Sequence, residues 1–207
     1  LAHPDVASKA EVIHRYDHEV QGGTEVKPLV GKVDDGPSDG VVLKPWETKG
    51  NTAFALGCGI NPRYGYLEPY GMAWAVIDEA MRNIVCAGAD PDRTALLDNF
   101  CWGNPSLPDR LGSLVRCSQG CYDAALAYQA PFISGKDSLN NEYQTEDGES
   151  IAIPPTLLIS AISVMQDARK AVSMDLKKAG NSLFAVGVTR KELGGSHYHE
   201  YLGLDSG

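Results

Sequence analysis

The run Thr156-Leu-Leu-Ile-Ser-Ala-Ile-Ser-Val-Met165 constrains this chain more than any other stretch. It is rich in β-branched and apolar residues, the composition of a strand, and it is the strongest strand signal in the sequence. It is also the longest apolar stretch, and it is too short and too strand-like to cross a bilayer. A fold that contains it must therefore be built around a sheet. Further strands are expected at Val41–Lys44, Asn51–Ile60, Thr94–Leu97, Ala130–Ser134 and Ser182–Val188.

Two long helices fall between them. From Gly71, residues Ile77, Met81, Ile84 and Val85 share one face at three- and four-residue spacing, and the helix should end near Gly88. Residues Asp109–Tyr128 form the second, with Leu111, Leu114, Val115, Ser118, Cys121 and Ala125 on one side. A short helix is expected over Ser8–Tyr16, capped by Ser8 with Glu11 at the capping-box position. Turns are expected at Asp34–Gly40, Asn61–Gly65 and Lys178–Asn181, with a hairpin-like acidic loop at Thr145–Glu149. This order implies an α+β fold, a mixed or antiparallel sheet with helices on one face.

At 207 residues the chain amounts to one large domain, or one domain with an appendage. Its 18 basic against 27 acidic residues give a net charge of −9, which argues against a nucleic-acid footprint. No basic run suggests an anionic membrane either, and a cytoplasmic-type domain is expected. The five cysteines have no CxxC spacing and read as reduced thiols; Cys117 and Cys121, four apart, have no nearby His to complete a metal site. His14 and His18 are also four apart, but no third ligand accompanies them. The sequence starts without Met and stops soon after Gly194-Gly195, so it is expected to be a piece of a longer polypeptide.

The chemistry concentrates in Ile133–Glu142, read with Asp98–Pro105 upstream. Gly135 has no side chain and lets an anion approach the backbone; Lys136 offers a point charge, and Asp137 an oxygen ligand for Mg²⁺. It is not a P-loop, which needs Gly where Ala130 sits and Ser or Thr directly after the Lys. Gly, Asp and Ser are also ordinary turn residues, so Gly-Lys-Asp-Ser taken alone reads first as a plain surface turn. On the first long helix Glu79 and Asn83 lie one above the other and can address one ligand. Ser38 and Asp39 sit in a turn cluster and by themselves read as turn chemistry.

Five pieces in this order, Ser38-Asp-Gly40, Asp78–Asn83, Asp98–Pro105, Ile133–Glu142 and Asp175–Asn181, resemble the phosphoribosylformylglycinamidine synthase family over about residues 4–203. The resemblance implies a fold like the N-terminal-type domain of aminoimidazole ribonucleotide synthase, pairing into a barrel with a like domain. It places an extension at 1–33, the ATP-binding domain at 34–168, and a linker with the start of a following domain at 169–207. It implies a ligase of purine biosynthesis in which ATP activates the formyl amide oxygen of formylglycinamide ribonucleotide. Ammonia, released from glutamine by a separate glutaminase domain or subunit, then forms the amidine.

The resemblance further implies ATP or ADP with Mg²⁺. Asp39, Glu79 and Asn83 match metal ligands, Ser38, Asp98, Gly135 and Lys136 nucleotide contacts, and Ser138 a substrate contact. Lys136 matches the large form of the family; the small form places a magnesium-binding Asn there. Two readings follow: part of a catalytic ATP site, or a non-catalytic nucleotide-binding scaffold of the same enzyme. A small kinase of the same superfamily is a third. No catalytic residue is assigned, because none of His3, His14, His18, His197 or His199 lies in a matching motif. A lone domain of this kind is expected to form a homodimer through the face its partner would cover.

Overall fold

A computed structural model describes residues 2–16, 18–194 and 196–204. The elements run α1 (Ala10–His14), β1 (Thr24–Val26), β2 (Leu29–Val30), β3 (Gly36–Pro37), β4 (Val41–Leu43), β5 (Ala53–Ile60), α2 (Pro62–Leu67) and α3 (Pro69–Cys86). They continue with β6 (Thr94–Cys101), α4 (Pro108–Tyr128), β7 (Phe132–Ser138), β8 (Glu142–Gln144), β9 (Ser150–Ala152), β10 (Thr156–Met165) and α5 (His197–Tyr201).

Six strands form the main sheet in the order β1-β4-β5-β10-β6-β7. Its neighbours are antiparallel except β6 and β7, which are parallel. The apolar run Thr156–Met165 is β10, paired along both edges, with β5 on one side and β6 on the other. Two small antiparallel pairs, β2–β3 and β8–β9, flank the sheet.

The pleat sorts residues by face. On β5, Ala53, Ala55, Gly57 and Gly59 are buried, and α3 lies directly over them. A Cβ on Gly59 would stand 2.0 Å from the Val76 carbonyl oxygen, so this position admits no side chain. From the same face β10 contributes Leu157, Ile159, Ala161 and Met165, and β6 contributes Leu96 and Phe100. The stripe Met72, Ala73, Val76, Ile77, Ala80, Met81 and Ile84 of α3 closes the core against them. Each large side chain buried there contributes roughly 1.5–3 kcal/mol by removal from water. Helix α4 packs on α3 through the small residues Cys117, Gly120, Cys121 and Ala124. Glu68 pins the two together, capping the Tyr70 and Gly71 N–H groups and pairing with Arg116 at 2.9 Å.

Several expectations are corrected. The α4 face that meets α3 is the small-residue stripe; Leu111 and Val115 are exposed, because α3 offers a contact only small side chains can close. Asn61–Gly65 is the start of a short helix, with Pro62 at its first position where a missing N–H costs nothing. Helix α1 starts at Ala10 with Lys9 at the cap, and Ser8 Oγ accepts only the Ala10 N–H at 3.3 Å. Gly135–Ser138, turn-like in sequence, continues β7, because β6 runs far enough to pair with it. Residues 182–188 are not a strand. Phe184 is 87% and Val186 100% exposed, for the pattern finds no sheet edge to join among the described residues. Within the segment read as an extension, β1 joins the main sheet and Val26, Leu29 and Val30 are buried. No helix among the described residues is long and apolar enough to cross a membrane.

Candidate functional site

Strand directions bring the singled-out residues to one end of the sheet. Both β5 and β6 run antiparallel to β10 and therefore alongside each other, and β7 is parallel to β6. The carboxyl ends of β5, β6 and β7 thus carry Cys58–Ile60, Asp98–Cys101 and Gly135–Ser138 side by side. The turn holding Ser38 and Asp39 precedes β4, whose Val41 lies opposite Leu56, so it reaches the same end.

Around β5 the turn and α3 meet. A Cβ on Gly40 would lie 3.0 Å from both the Asn83 and Leu56 carbonyl oxygens, so the residue after Asp39 packs its backbone against this turn of α3. Ser38 Oγ donates to the Gly40 carbonyl at 2.8 Å and holds the turn closed. Strand β4 pairs with β5 only as far as Leu56, which leaves polar groups at the β5 edge beyond. Helix α3 fills them: Glu79 Oε2 accepts the Ile60 N–H at 2.8 Å, and Asn83 Nδ2 donates to the Cys58 carbonyl at 2.8 Å. Those two bonds occupy one carboxylate oxygen of Glu79 and the amide nitrogen of Asn83; the remaining oxygens are the donors a cation would use. Ser38, Asp39, Leu56 and Cys58 also line a cavity of about 780 Å³ closed by Asp5, Val6, Ser8 and Ile13. Sequence reasoning missed this wall, since nothing in a polar N-terminal stretch signals which groove it will cover.

On β6 and β7 the partners are Asp98↔Gly135, Asn99↔Lys136, Phe100↔Asp137 and Cys101↔Ser138. A Cβ on Gly135 would stand 2.2 Å from Asp98 Oδ1, so the carboxylate lies over bare backbone. Burial pushes the Asp98 carboxyl above the usual range, the negative charge of Asp137 adds to this, and the Lys136 N–H opposes it. Lys136 and Ser138, two apart on a strand, face the opposite side, where the ammonium bonds the Ser138 hydroxyl. The end of β7 is held firmly. The Ser138 carbonyl accepts the Trp102 N–H at 2.9 Å, and Trp102, fully buried, donates its indole N–H to Ser113 at 2.9 Å. Glu142 accepts from the Asn104 N–H, from Arg110 and from Ser150 at 2.7, 2.8 and 2.9 Å. The sequence carried no sign of that hub, because its parts are 38, 32 and 8 residues from Glu142.

The two groups are neighbours without touching. Gly59, Ile159, Asp98 and Gly135 form one row across the sheet, which puts Asp98 about two strand spacings, ~10 Å, from Gly59. Buried Ile159 stands between. One end of the sheet therefore presents carboxylates on the helix side and an ammonium–hydroxyl pair on the open side.

The fold and site together define an α+β sheet domain with helices on one face and oxygen donors gathered at the carboxyl ends of three strands. Residues 37–165 match the family described as AIR synthase related protein, N-terminal domain, and the chain belongs to that family. It is 37% identical over 213 residues to phosphoribosylformylglycinamidine synthase subunit PurL of Deinococcus radiodurans, covering 100% of this chain and 27% of the relative. Against the subunit of the same name from Methanocaldococcus jannaschii it is 37% identical over 204 residues, covering 98% and 26%. The chain spans about a quarter of the length of the curated relatives it matches. In structure it resembles Thermotoga maritima PurL complexed with ATP, at a TM-score of 0.62 and 21% identity over 80% of this chain and 24% of that one. That likeness bears out the fold.

Proposed function

We propose that this chain is a nucleotide-carrying domain of a phosphoribosylformylglycinamidine synthase. The full enzyme would be an ATP- and glutamine-dependent ligase that converts formylglycinamide ribonucleotide to its amidine. Sequence likeness along the whole chain supports the reading, as does the placement of Ser38, Asp39, Glu79, Asn83, Asp98 and Gly135 at one end of the sheet. The observation that carries it is the Asp98–Gly135 contact: a carboxylate packed over the Gly135 backbone, its ionised form made costly by burial and by the charge of Asp137. A cation relieves that repulsion and can bridge these carboxylates to a polyphosphate.

The oxygen-rich set fits Mg²⁺, which prefers carboxylate and carbonyl ligands. Asp39, Glu79 and Asn83 would hold it, and it would offset the charge of the nucleotide phosphates. Ser38, Asp98, Gly135 and Lys136 would hold the nucleotide, and Ser138 would touch substrate. A glutaminase domain or subunit, a cytoplasmic setting, and pairing of the open sheet face with a like domain belong to the same reading. In this chain alone that pairing becomes a homodimer.

The second reading, a nucleotide held for structure and not consumed, is favoured by one observation. Lys136 bonds Ser138, and a protonated lysine cannot ligate a metal. Calorimetry with Mg·ADP tests the site. Asp39→Asn and Glu79→Gln should each weaken binding at least tenfold, while Glu79→Gln keeps an acceptor for the Ile60 N–H. Unchanged affinity in both would end the assignment. In the full-length enzyme, Asp39→Asn that lowers thermal stability but leaves kcat unchanged would select the structural reading.

A further inference from the structure

A second cluster of donors forms where the N-terminal segment meets α5. His3, Asp5 and His197 each bring one ligand atom to within 4.8 Å of the other two. His197 Nε2 is 3.4 Å from Asp5 Oδ2, and His3 Nδ1 is 3.7 Å from the same oxygen. Tetrahedral zinc with bonds of roughly 2.0–2.1 Å requires ligand atoms about 3.3 Å apart. The donors are thus within a few tenths of an ångström of that separation along two edges, and the third edge is within 4.8 Å.

We propose that His3, Asp5 and His197 form a binding site for a borderline divalent cation of the Zn²⁺ class. Two imidazoles and one carboxylate suit such an ion better than Mg²⁺ or Ca²⁺, which take oxygen ligands. The Glu200 carboxylate, 3.8 Å from His3 Nε2, lies on the ring nitrogen turned away from Asp5, where an outer carboxylate orients a ligating imidazole. The cluster opens onto a cleft of about 650 Å³ lined also by Asn61, Arg63 and Ser196, which gives an ion a route in.

Two interactions compete with the ion. Arg63 pairs with Glu200 and lies 4.0 Å from Asp5, so a cation displaces it only at the weaker contact. His3 Nδ1 accepts the Asp5 N–H at 3.2 Å, and coordination takes over that lone pair. The ligands come from opposite ends of the sequence, His197 being 192 residues from Asp5. A bound cation therefore clips α5 onto the N-terminal segment. Asp5 also lines the cavity beside Asp39, so the clip steadies that wall.

Zn²⁺ calorimetry on the chain, with Co²⁺ absorption as a second readout, tests this. One Zn²⁺ should bind per chain, and Co²⁺ should give the visible bands of a four-coordinate site with no thiolate charge-transfer band. His3→Ala and His197→Ala, both at exposed positions, should each weaken binding at least tenfold; the double variant His14→Ala/His18→Ala should not. Zn²⁺ should raise the Tm of the unaltered chain and leave that of His197→Ala unmoved. Absence of saturable binding would overturn the proposal. So would loss of binding with His14 and His18, whose rings are 5.2 Å apart, or a thiolate band reporting the cysteines.

Discussion

The two faces of the main sheet are made from the same strands and meet opposite fates. Toward the helices β10 presents Leu157, Ile159 and Ala161, all fully buried. Toward the other side it presents Leu158, Ser160, Ile162 and Val164, of which Val164 is 47% exposed. Across β5 the split repeats, with alanines and glycines under α3 and Phe54, Leu56, Cys58 and Ile60 on the open side. An antiparallel sheet with one solvated face normally alternates apolar with polar residues. Here the face away from the helices is largely apolar as well, with Leu158 and Ile162 half-buried and Ile60 and Val164 exposed. One face explains why the domain folds, and the other carries the proposed pairing with a like domain.

The sharpest way to break the comparison is at the most crowded point of the covered face. Gly59→Val drives a side chain into the α3 backbone at Val76, which cannot yield as a flexible side chain would. A loss of about 3 kcal/mol or more, or failure to fold, is expected from such overpacking. Urea unfolding near the unaltered midpoint would show that α3 does not sit on β5 as described. Next come two adjacent leucines. Leu157→Ala should cost about 2–5 kcal/mol, as large-to-small changes in a close-packed core do. Leu158→Ala, one residue on and facing the other way, should cost well under half of that in the same measurement. Equal costs would mean that the open face is covered within the monomer. Ile162→Lys should leave the urea midpoint within about 1 kcal/mol of the original and abolish self-association in sedimentation velocity. A clean monomer before substitution, at ~10–50 µM, would count against the expected homodimer.

The same contrast shows what was legible in the sequence. Elements driven by their own periodicity were readable: β10, β5, the long α3 with its Ile77, Met81 and Ile84 face, and α4. Elements decided by a neighbour were not. Gly135–Ser138 is strand only because β6 extends beside it, and residues 182–188 lack such a neighbour here. The contact face of α4 was misread because small residues, not large apolar ones, allow two helices to approach closely. At the candidate site, helical spacing alone put Glu79 above Asn83, but not the β5 edge groups that both satisfy. The alternation of β7 sends Lys136 away from Asp98, a separation that a run of four adjacent letters conceals.

Asp98 gives the smallest effect and the most specific one. Its carboxyl is held above the ordinary range by burial and then by Asp137, so the folded chain binds that proton more tightly than the unfolded chain does. A group shifted in this direction contributes stability that is fully present below the ordinary Asp value, about 3.9, and is lost as pH rises through the folded value. At pH 7 the ionised group is therefore a cost, and Asp98→Asn removes it while its amide oxygen still accepts the Lys136 N–H. The variant should be more stable than the unaltered chain at pH 7, with the gain shrinking to nothing as pH falls below the ordinary Asp range. Mg²⁺ should raise the Tm of the unaltered chain more than that of the variant, because only the former has a repelling pair to relieve. A variant less stable at neutral pH would show that Asp98 already has a compensating partner, and the carboxylate over Gly135 would then be a structural anchor rather than a place prepared for a ligand.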